Sequence, residues 1–194
     1  MTFDLTGTLL ISTPAMGDPR FAHSVIYLCA HGSEGAFGLV LNRPLKRLRL
    51  AEVLGQLSIP VDRMNPATPV LAGGPVETQR GFVLHSGDGD AGVPVSGGGP
   101  KGQTLPGGLV LSASTEVLRA LAAGRGPSQW LLLLGYSGWG PGQLEAEIGQ
   151  NAWLTCAAPN ALIFDPAPGD HQWSDALRSM GVDPITLSAV AGRA

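Results

Sequence analysis

The chain has 194 residues, of which 44% are hydrophobic and only 14% charged, and its formal net charge is −3. This length fits a single domain spanning residues 1–194, and the negative charge excludes the broad positive field that nonspecific binding to nucleic acid or to an anionic membrane requires. The low charge content, against about 25% in ordinary domains, predicts an apolar or self-associating face and is compatible with a homodimer.

The N-terminal segment, the lengths of the apolar runs and the two cysteines predict a cytoplasmic protein without membrane contact. No basic residue precedes the first apolar segment, which argues against a secretory signal, and no apolar run approaches the ~20 residues that span a bilayer. Cys29 and Cys156 lie far apart in apolar runs. They are predicted to be buried, reduced thiols.

Short apolar runs separated by glycine and proline predict strands along most of the chain. Each run has the length of a strand, and several are rich in valine, isoleucine and aromatic residues. The predicted strands are 7–12, 24–30, 36–41, 69–73, 81–86, 108–112, 130–136, 152–157 and 161–165.

Four stretches have helical periodicity or helix-capping residues. The first carries an apolar stripe from Leu50 to Leu57, and the second has Ser112 or Ser114 as its N-cap. The third begins at Pro141, and the fourth runs from Asp170 to a stop at Gly181.

These elements mix without strict strand–helix–strand alternation. They therefore predict an α+β fold with a mixed, largely antiparallel sheet and about four flanking helices. The Gly/Pro-rich stretch at about 87–107 has no periodicity and is predicted to be a mobile loop.

The glycine-rich segment Gly135–Trp139, between an apolar run and a helix, is placed where phosphate loops and nucleophilic serines occur. A phosphate loop requires Lys and Ser/Thr where Pro141 and Gly142 stand, and a dinucleotide fingerprint requires glycine at Gln143. A serine elbow requires glycine at Trp139. The segment is therefore predicted to turn the chain between a buried strand and a helix, although Trp139 could form a binding platform.

Four segments together resemble the YqgE/AlgH family of bacterial proteins: SVIYLCAHGSEGAFGLVLNRP, GGPVETQRGFVLH, LSASTEVLRALAAGRGP and GYSGWGPGQLEAEIGQNAWL. The resemblance runs from residue 7 nearly to the C-terminus. It implies a single-domain α+β fold with a mixed or barrel-like sheet, a cytosolic location and no established enzyme activity. It also implies an association with transcriptional regulation. The chain departs from the family pattern in the 87–107 stretch and at Ala30, where an acidic residue is usual.

Distinctive residues concentrate in predicted loops, which favours a non-enzymatic binding or regulatory protein. The segments Asn42–Pro44, Gly73–Pro75 and Gly135–Trp139 are predicted to contact a small ligand or a partner protein. No catalytic residue, metal ligand or cofactor is predicted. The candidate binding residues are Asn42, Arg43, Gly73, Gly74, Tyr136, Trp139, Gln143 and Glu145.

Two alternative functions stay open. His85 with Ser86 or Ser137 suggests a hydrolase, although a triad depends on spatial placement that sequence does not supply. The basic stretch Arg43–Arg49 suggests a DNA-binding regulator, although no helix-turn-helix pattern accompanies it and the overall charge argues against nucleic acid. Cys29 and His31 supply only two of the three or four ligands that zinc requires.

Overall fold

The computed structural model describes residues 4–61, 63–88, 102–185 and 187. Ten strands and five α-helices lie in this part of the chain, and none of these helices is long and apolar enough to cross a membrane. The strands are β1 (Leu9–Ser12), β2 (Val25–Gly32), β3 (Gly35–Val40), β4 (Pro44–Arg49), β5 (Pro69–Ala72), β6 (Val76–Ser86), β7 (Gln103–Leu105), β8 (Leu109–Ser112), β9 (Trp130–Trp139) and β10 (Trp153–Cys156). The helices are α1 (Leu50–Gln56), α2 (Thr115–Ala122), α3 (Gln143–Gly149), α4 (Asn160–Ile163) and α5 (Asp170–Ser179).

The strands form one ten-stranded sheet. Eight of them follow the order β10-β1-β2-β3-β9-β6-β8-β7, while β5 pairs with β9 and β4 pairs with β5. Only the pairing of β5 with β9 is parallel among the described strands. The predicted α+β class with a mixed, largely antiparallel sheet is therefore confirmed, with five α-helices where about four were predicted.

The sheet curls until its far strands meet. In the strand order β7 is well separated from β2, yet the hydroxyl of Tyr27 in β2 donates to the carbonyl of Pro106, just after β7, at 3.3 Å. The amide of Gln103 in β7 donates to the carbonyl of Cys29 in β2, also at 3.3 Å. Burial raises the pKa of Tyr27 to about 12, so its hydroxyl stays protonated and can donate. These contacts give the sheet its barrel-like character.

Three apolar clusters pack against the faces of the sheet. The curl encloses the largest cluster, which contains Leu84 and Leu133 and is closed by Trp173 and Leu177 of α5. A second cluster lies between the opposite face and helices α1 and α2, and a third packs β1, β2 and β3 against α3. Because successive residues of a strand point to opposite faces, the leucine run of β9 supplies two clusters at once. Each fully buried leucine contributes ~1.5–3 kcal/mol.

Strand β9 continues through the segment that was predicted to be a turn. Gly135 has a φ of 73°, and the pairing with β6 jumps there from Val76 opposite Tyr136 to Gly81 opposite Leu134. A glycine in this conformation can form a bulge without ending the strand. Pairing with β3 then continues to Trp139, so the Gly135–Trp139 prediction of a loop is corrected to a bulged strand.

Three other parts of the chain differ from the prediction. The apolar run at 161–165 was predicted to be a strand, but residues 161–163 lie in helix α4. An apolar run this short has too little periodicity to tell a strand from a helix. Helix α3 begins at Gln143 rather than Pro141, because Gly142 has a φ of 73° and serves as the N-cap. Within the predicted loop at 87–107, the end of the stretch forms β7 and buries Leu105. Residues 89–101 lie outside the described residues.

Candidate functional site

Gly73 and Gly74 follow β5 and lie against the main chain of β9. A Cβ on either glycine would collide with main-chain atoms of β9, and at Gly74 those atoms belong to Tyr136 and its neighbour. Gly73 also links two strands, since its N–H donates to Leu134 and its carbonyl accepts from Val40, both at 2.8 Å. These glycines therefore allow the main chain after β5 to pack closely against the main chain of β9.

Glu147 of α3 is the polar centre of the corner where β9 meets α3. Its Oε2 accepts the indole N–H of Trp139 at 2.9 Å and that of Trp153 at 2.7 Å. Its Oε1 accepts the side-chain amide of Gln143 at 2.9 Å, and the carbonyl of that amide accepts the N–H of Gly140 at 3.0 Å. The two indole rings meet edge to face with centroids 6.0 Å apart. This set of contacts is called the Glu147 network below.

Glu147 was not among the predicted residues. An acidic residue in the first turns of a helix is explained by a favourable interaction with the helix dipole, so its position alone does not indicate an inward contact. The two tryptophans that it joins lie eight residues before it and six residues after it. The order Gln-Leu-Glu-Ala-Glu-Ile does not distinguish Glu147 from Glu145, so the sequence offers no signal for the inward contacts of Glu147.

A cleft of about 490 Å³ opens beside the Glu147 network and is called the Trp139 cleft. Residues 15–21 form one wall, Pro75 and Val76 form another, and Trp139 with α3 forms the floor. This volume is within the range of ligand pockets, about 300–1,000 Å³. Val76 is 37% exposed, one of the two large apolar side chains that are exposed among the described residues.

The charged groups at the rim of this cleft pair with each other. Arg20 contacts Asp18 with both nitrogens of its fork, the shortest distance being 2.6 Å. This contact lowers the pKa of Asp18 and raises that of Arg20. The cleft therefore presents apolar side chains between charged groups that already have partners.

Asn42 and Arg43 stabilise the chain next to this wall rather than lining the cleft. Asn42 is buried, its Oδ1 accepts the N–H of Val25 at 3.0 Å, and its Nδ2 donates to the carbonyl of His23 at 2.8 Å. The guanidinium of Arg43 donates to the carbonyl of Ala22. Because His23 has a φ of 56°, an uncommon conformation for a residue with a side chain, these two residues hold a strained turn.

Tyr136 and Glu145 point to other surroundings. The ring of Tyr136 packs on Phe37 with centroids 4.8 Å apart. Glu145 lies 3.1 Å from Nε2 of His31, whose Nδ1 accepts the N–H of Leu5 at 3.1 Å. Of the eight predicted residues, Trp139 and Gln143 line the Trp139 cleft and the glycine pair precedes its Pro75 wall. A binding role for the eight residues stays a prediction.

The geometry around His85 bears on the hydrolase hypothesis. His85 is fully buried, and its Nδ1 donates to the carbonyl of Ser86 at 2.8 Å. Burial lowers the pKa of His85, so its neutral ring accepts the hydroxyl of Ser112 at Nε2, at 3.0 Å. The Ser86 hydroxyl donates instead to Asp88, whose pKa is held at about 2 by hydrogen bonds from residue 128 and from Ser86. The Ser137 hydroxyl donates to a main-chain carbonyl. His85 thus joins β6 to β8 in the core.

The basic cluster lies at and on β4, and the cysteine–histidine pair lies on β2. Lys46 and Arg47 are exposed on β4, whereas Arg43 is occupied by its main-chain contact. Burial raises the pKa of the Cys29 thiol, which disfavours the thiolate that a metal needs. Both ring nitrogens of His31 already have contacts. In the described part of the chain no three His, Cys, Asp or Glu residues group as a metal site.

Comparisons with known proteins give one consistent result. The family described as DUF179, AlgH-like, matches residues 9–185. A UPF0301 protein of Cereibacter sphaeroides is 49% identical over 192 residues, covering 98% of this chain and 100% of the relative. A UPF0301 protein of Jannaschia sp. is 45% identical over 194 residues, covering 100% of this chain and 97% of the relative.

Two solved structures share the fold. The solution structure of AlgH from Pseudomonas aeruginosa is 45% identical, with a TM-score of 0.72 and coverage of 98% of this chain and 95% of that one. The crystal structure of protein DIP2367 from Corynebacterium diphtheriae superposes with a TM-score of 0.70 at 24% identity, covering 95% of this chain and 90% of that one, which supports the fold alone. This chain therefore belongs to the AlgH-like family.

Proposed function

We propose that this protein is a non-enzymatic binding protein with a regulatory role, and that the Trp139 cleft takes an apolar group of a partner protein or small ligand. The observation that carries the proposal is the cleft itself, where the exposed Val76 and the side chains of Met16 and Phe21 face an internally paired polar floor. Such a floor is pre-organised, so binding there requires little reordering of side chains.

The chemistry of the cleft supports binding rather than catalysis. The carboxylate of Glu147 accepts three hydrogen bonds, and Arg20 is paired with Asp18. A general base or a nucleophile has to reach a reacting group with free hydrogen-bonding capacity. The groups here hold the shape of the cleft instead.

We further propose that the protein acts in the cytoplasm and that its regulatory effect on transcription passes through a partner bound at this cleft. The cleft offers apolar surface and no excess of positive charge, which suits a protein partner or small ligand better than a nucleic acid. The association with regulation would then be indirect.

Site-specific crosslinking tests the binding proposal. A photoreactive residue placed at Val76 should give discrete adducts in cells, and excess unlabelled protein should suppress them. Excess Val76→Glu protein should not suppress them, because a charge on the wall disfavours an apolar group. Ile185, which is 79% exposed and does not line the cleft, is the matched control position. Identical adducts from both positions, or none from Val76, would contradict the proposal.

A second candidate, DNA binding, has one observation in its favour. Lys46 and Arg47 are exposed on β4, which pairs only with β5 among the described strands, and neither makes an ion pair with another described residue. A duplex gel shift that persists at about 0.15 M salt and disappears with Lys46→Ala/Arg47→Ala would support it. Binding that is lost at that salt concentration would indicate nonspecific electrostatic attraction to the phosphates.

A further inference from the structure

A second cleft, the Trp130 cleft, lies at the opposite end of β9. Its volume is about 360 Å³, which is again within the range of ligand pockets. It forms where the start of β9 and the preceding residues 128–129 meet two other segments, 68–71 and 164–168. Strand β9 is ten residues long, so its two ends and their clefts are about 30 Å apart.

Rigid apolar rings line the Trp130 cleft. Trp130 and Phe164 are both half-buried, and three prolines and two leucines complete the apolar lining: Pro69, Pro166, Pro168, Leu71 and Leu131. Aromatic and proline side chains have few rotamers to lose, so a ligand can pack on them at a small entropic cost. Aromatic grooves of this kind are the surfaces on which extended proline-rich segments pack.

The cleft also offers unused hydrogen-bond donors. The indole N–H groups of Trp139, Trp153 and Trp173 all donate to protein acceptors, at 2.7–2.9 Å. The indole N–H of Trp130 donates to no acceptor among the described residues. The side chain of Gln129 likewise makes no hydrogen bond to a described residue. The indole N–H of Trp130 is not among the buried polar atoms that lack a partner, so it is accessible from the cleft, where a bound ligand can supply the acceptor.

The one charge in the described lining of this cleft is a carboxylate. Asp165 Oδ1 accepts the N–H of Ala167 at 2.8 Å, and Oδ2 lies 2.7 Å from Nε2 of His171. These contacts fix the orientation of the carboxylate, whose side chain remains 17% exposed. A carboxylate has about four acceptor positions, so it retains capacity for a cation from a ligand.

We propose that the Trp130 cleft binds an extended, proline-rich segment of a partner protein that carries an arginine. A polyproline II segment has no internal hydrogen bonds, and its prolines present carbonyl acceptors without N–H donors. It therefore matches a cleft in which the indole N–H of Trp130 and the side-chain amide N–H groups of Gln129 are free to donate. The arginine pairs with Asp165, which makes the charges complementary and sets the direction of the segment.

Fluorescence anisotropy with labelled peptides tests this proposal on the full chain. The probes are an octaproline, the same peptide with a terminal arginine, and the same peptide with a terminal glutamate. The arginine peptide should bind most tightly and the glutamate peptide least, and the difference should shrink at high salt. Trp130→Phe keeps a ring but removes the N–H, so it should weaken binding by about fivefold. Circular dichroism checks that each variant folds.

Asp165→Asn provides a second, independent test. It keeps an acceptor for the Ala167 amide while removing the charge, so it should abolish the preference for arginine over glutamate. Asp175→Asn removes an equal charge from α5 outside the cleft and should leave the preference unchanged. The proposal fails if the parent protein binds none of the peptides, or if it binds all three equally. It also fails if guanidinium or tetramethylammonium binds at Trp130 while octaproline does not, which would assign the cleft to small organic cations.

Discussion

Each end of β9 carries a tryptophan, and the two tryptophans differ in exposure and in the hydrogen bonding of the indole N–H. At one end Trp139 is 7% exposed and its N–H is bound by Glu147, which also binds Trp153. At the other end Trp130 is half-buried and its N–H has no acceptor among the described residues. A tryptophan beside a cleft can thus be part of the scaffold or part of a recognition surface, and the state of its N–H separates the two roles.

This difference has a consequence for mutagenesis. At the Trp139 end the contacts that shape the cleft also stabilise the fold, so a substitution there changes stability and binding together. At the Trp130 end the unpaired N–H contributes little to the fold. Substitutions there should change binding while leaving stability almost intact.

The largest effect is expected where the main chain of β9 meets the glycine pair. Gly74→Ala places a Cβ into the main chain of Tyr136, and Gly74 has a φ of 157°. The strand cannot move away without losing its pairing with β5 and β6, so we expect a loss of about 3 kcal/mol or more in the free energy of unfolding. Urea unfolding measures it. Gly149→Ala, where a Cβ meets nothing within 4 Å, should stay within ~1 kcal/mol of the parent. Equal effects of the two substitutions would show that Gly74 is not tightly packed against the main chain of β9.

Removal of the acceptor at the Trp139 end should have the next largest effect. Glu147→Ala leaves two indole N–H groups and the Gln143 amide without a partner, so we expect a loss of about 2 kcal/mol. Glu145→Ala is the matched control, because Glu145 is exposed on the same helix and, among the described residues, its side chain contacts only the ring of His31. The Glu145→Ala variant should lose no more than ~1 kcal/mol in the free energy of unfolding. A comparable loss from both variants would assign the effect to helix charge rather than to the indole contacts.

The fold was more predictable from sequence than the site. Apolar runs and helix caps depend on neighbouring residues, which is why eight of the nine predicted strands overlap observed strands. The ninth, at 161–165, follows Pro159 and overlaps helix α4 instead. The prediction was wrong because a four-residue apolar run has no distinct period. A glycine such as Gly74 permits a close approach, but the sequence could not show that the atoms that approach it belong to β9.

The site depends on contacts between side chains that belong to different elements of the fold. Glu147 joins Trp139 of β9 to Trp153 of β10, and Asn42, in the turn between β3 and β4, binds the main chain of His23 and Val25. Residue type reveals that each side chain can accept or donate a hydrogen bond, but the partner is set only when the sheet curls. The Trp130 cleft likewise requires three segments that are about 30 to 60 residues apart in sequence.

A direct comparison of the two tryptophans should show a smaller effect. Trp139→Phe and Trp130→Phe each remove one pyrrole ring, but only the first breaks a hydrogen bond to a carboxylate. We therefore expect Trp139→Phe to cost about 1 kcal/mol more than Trp130→Phe in thermal or urea unfolding. A larger cost at Trp130 would mean that its N–H has an acceptor outside the described residues.

The smallest effect concerns pH at the Trp130 end, where His85 pairs with Trp130 across β6 and β9. Burial lowers the pKa of His85 in the folded protein, so as pH falls the unfolded chain takes up the proton first. Its contribution to stability is complete above the ordinary histidine pKa of about 6.5 and decreases as pH falls through the lower folded pKa. Urea midpoints between about pH 7.5 and 5 should therefore drop more steeply for the parent than for His85→Gln, whose side chain can still accept the Ser112 hydroxyl. Parallel slopes for the two proteins would place the pH dependence on the other histidines, and the hydrogen bond to Ser112 would then persist in both protonation states.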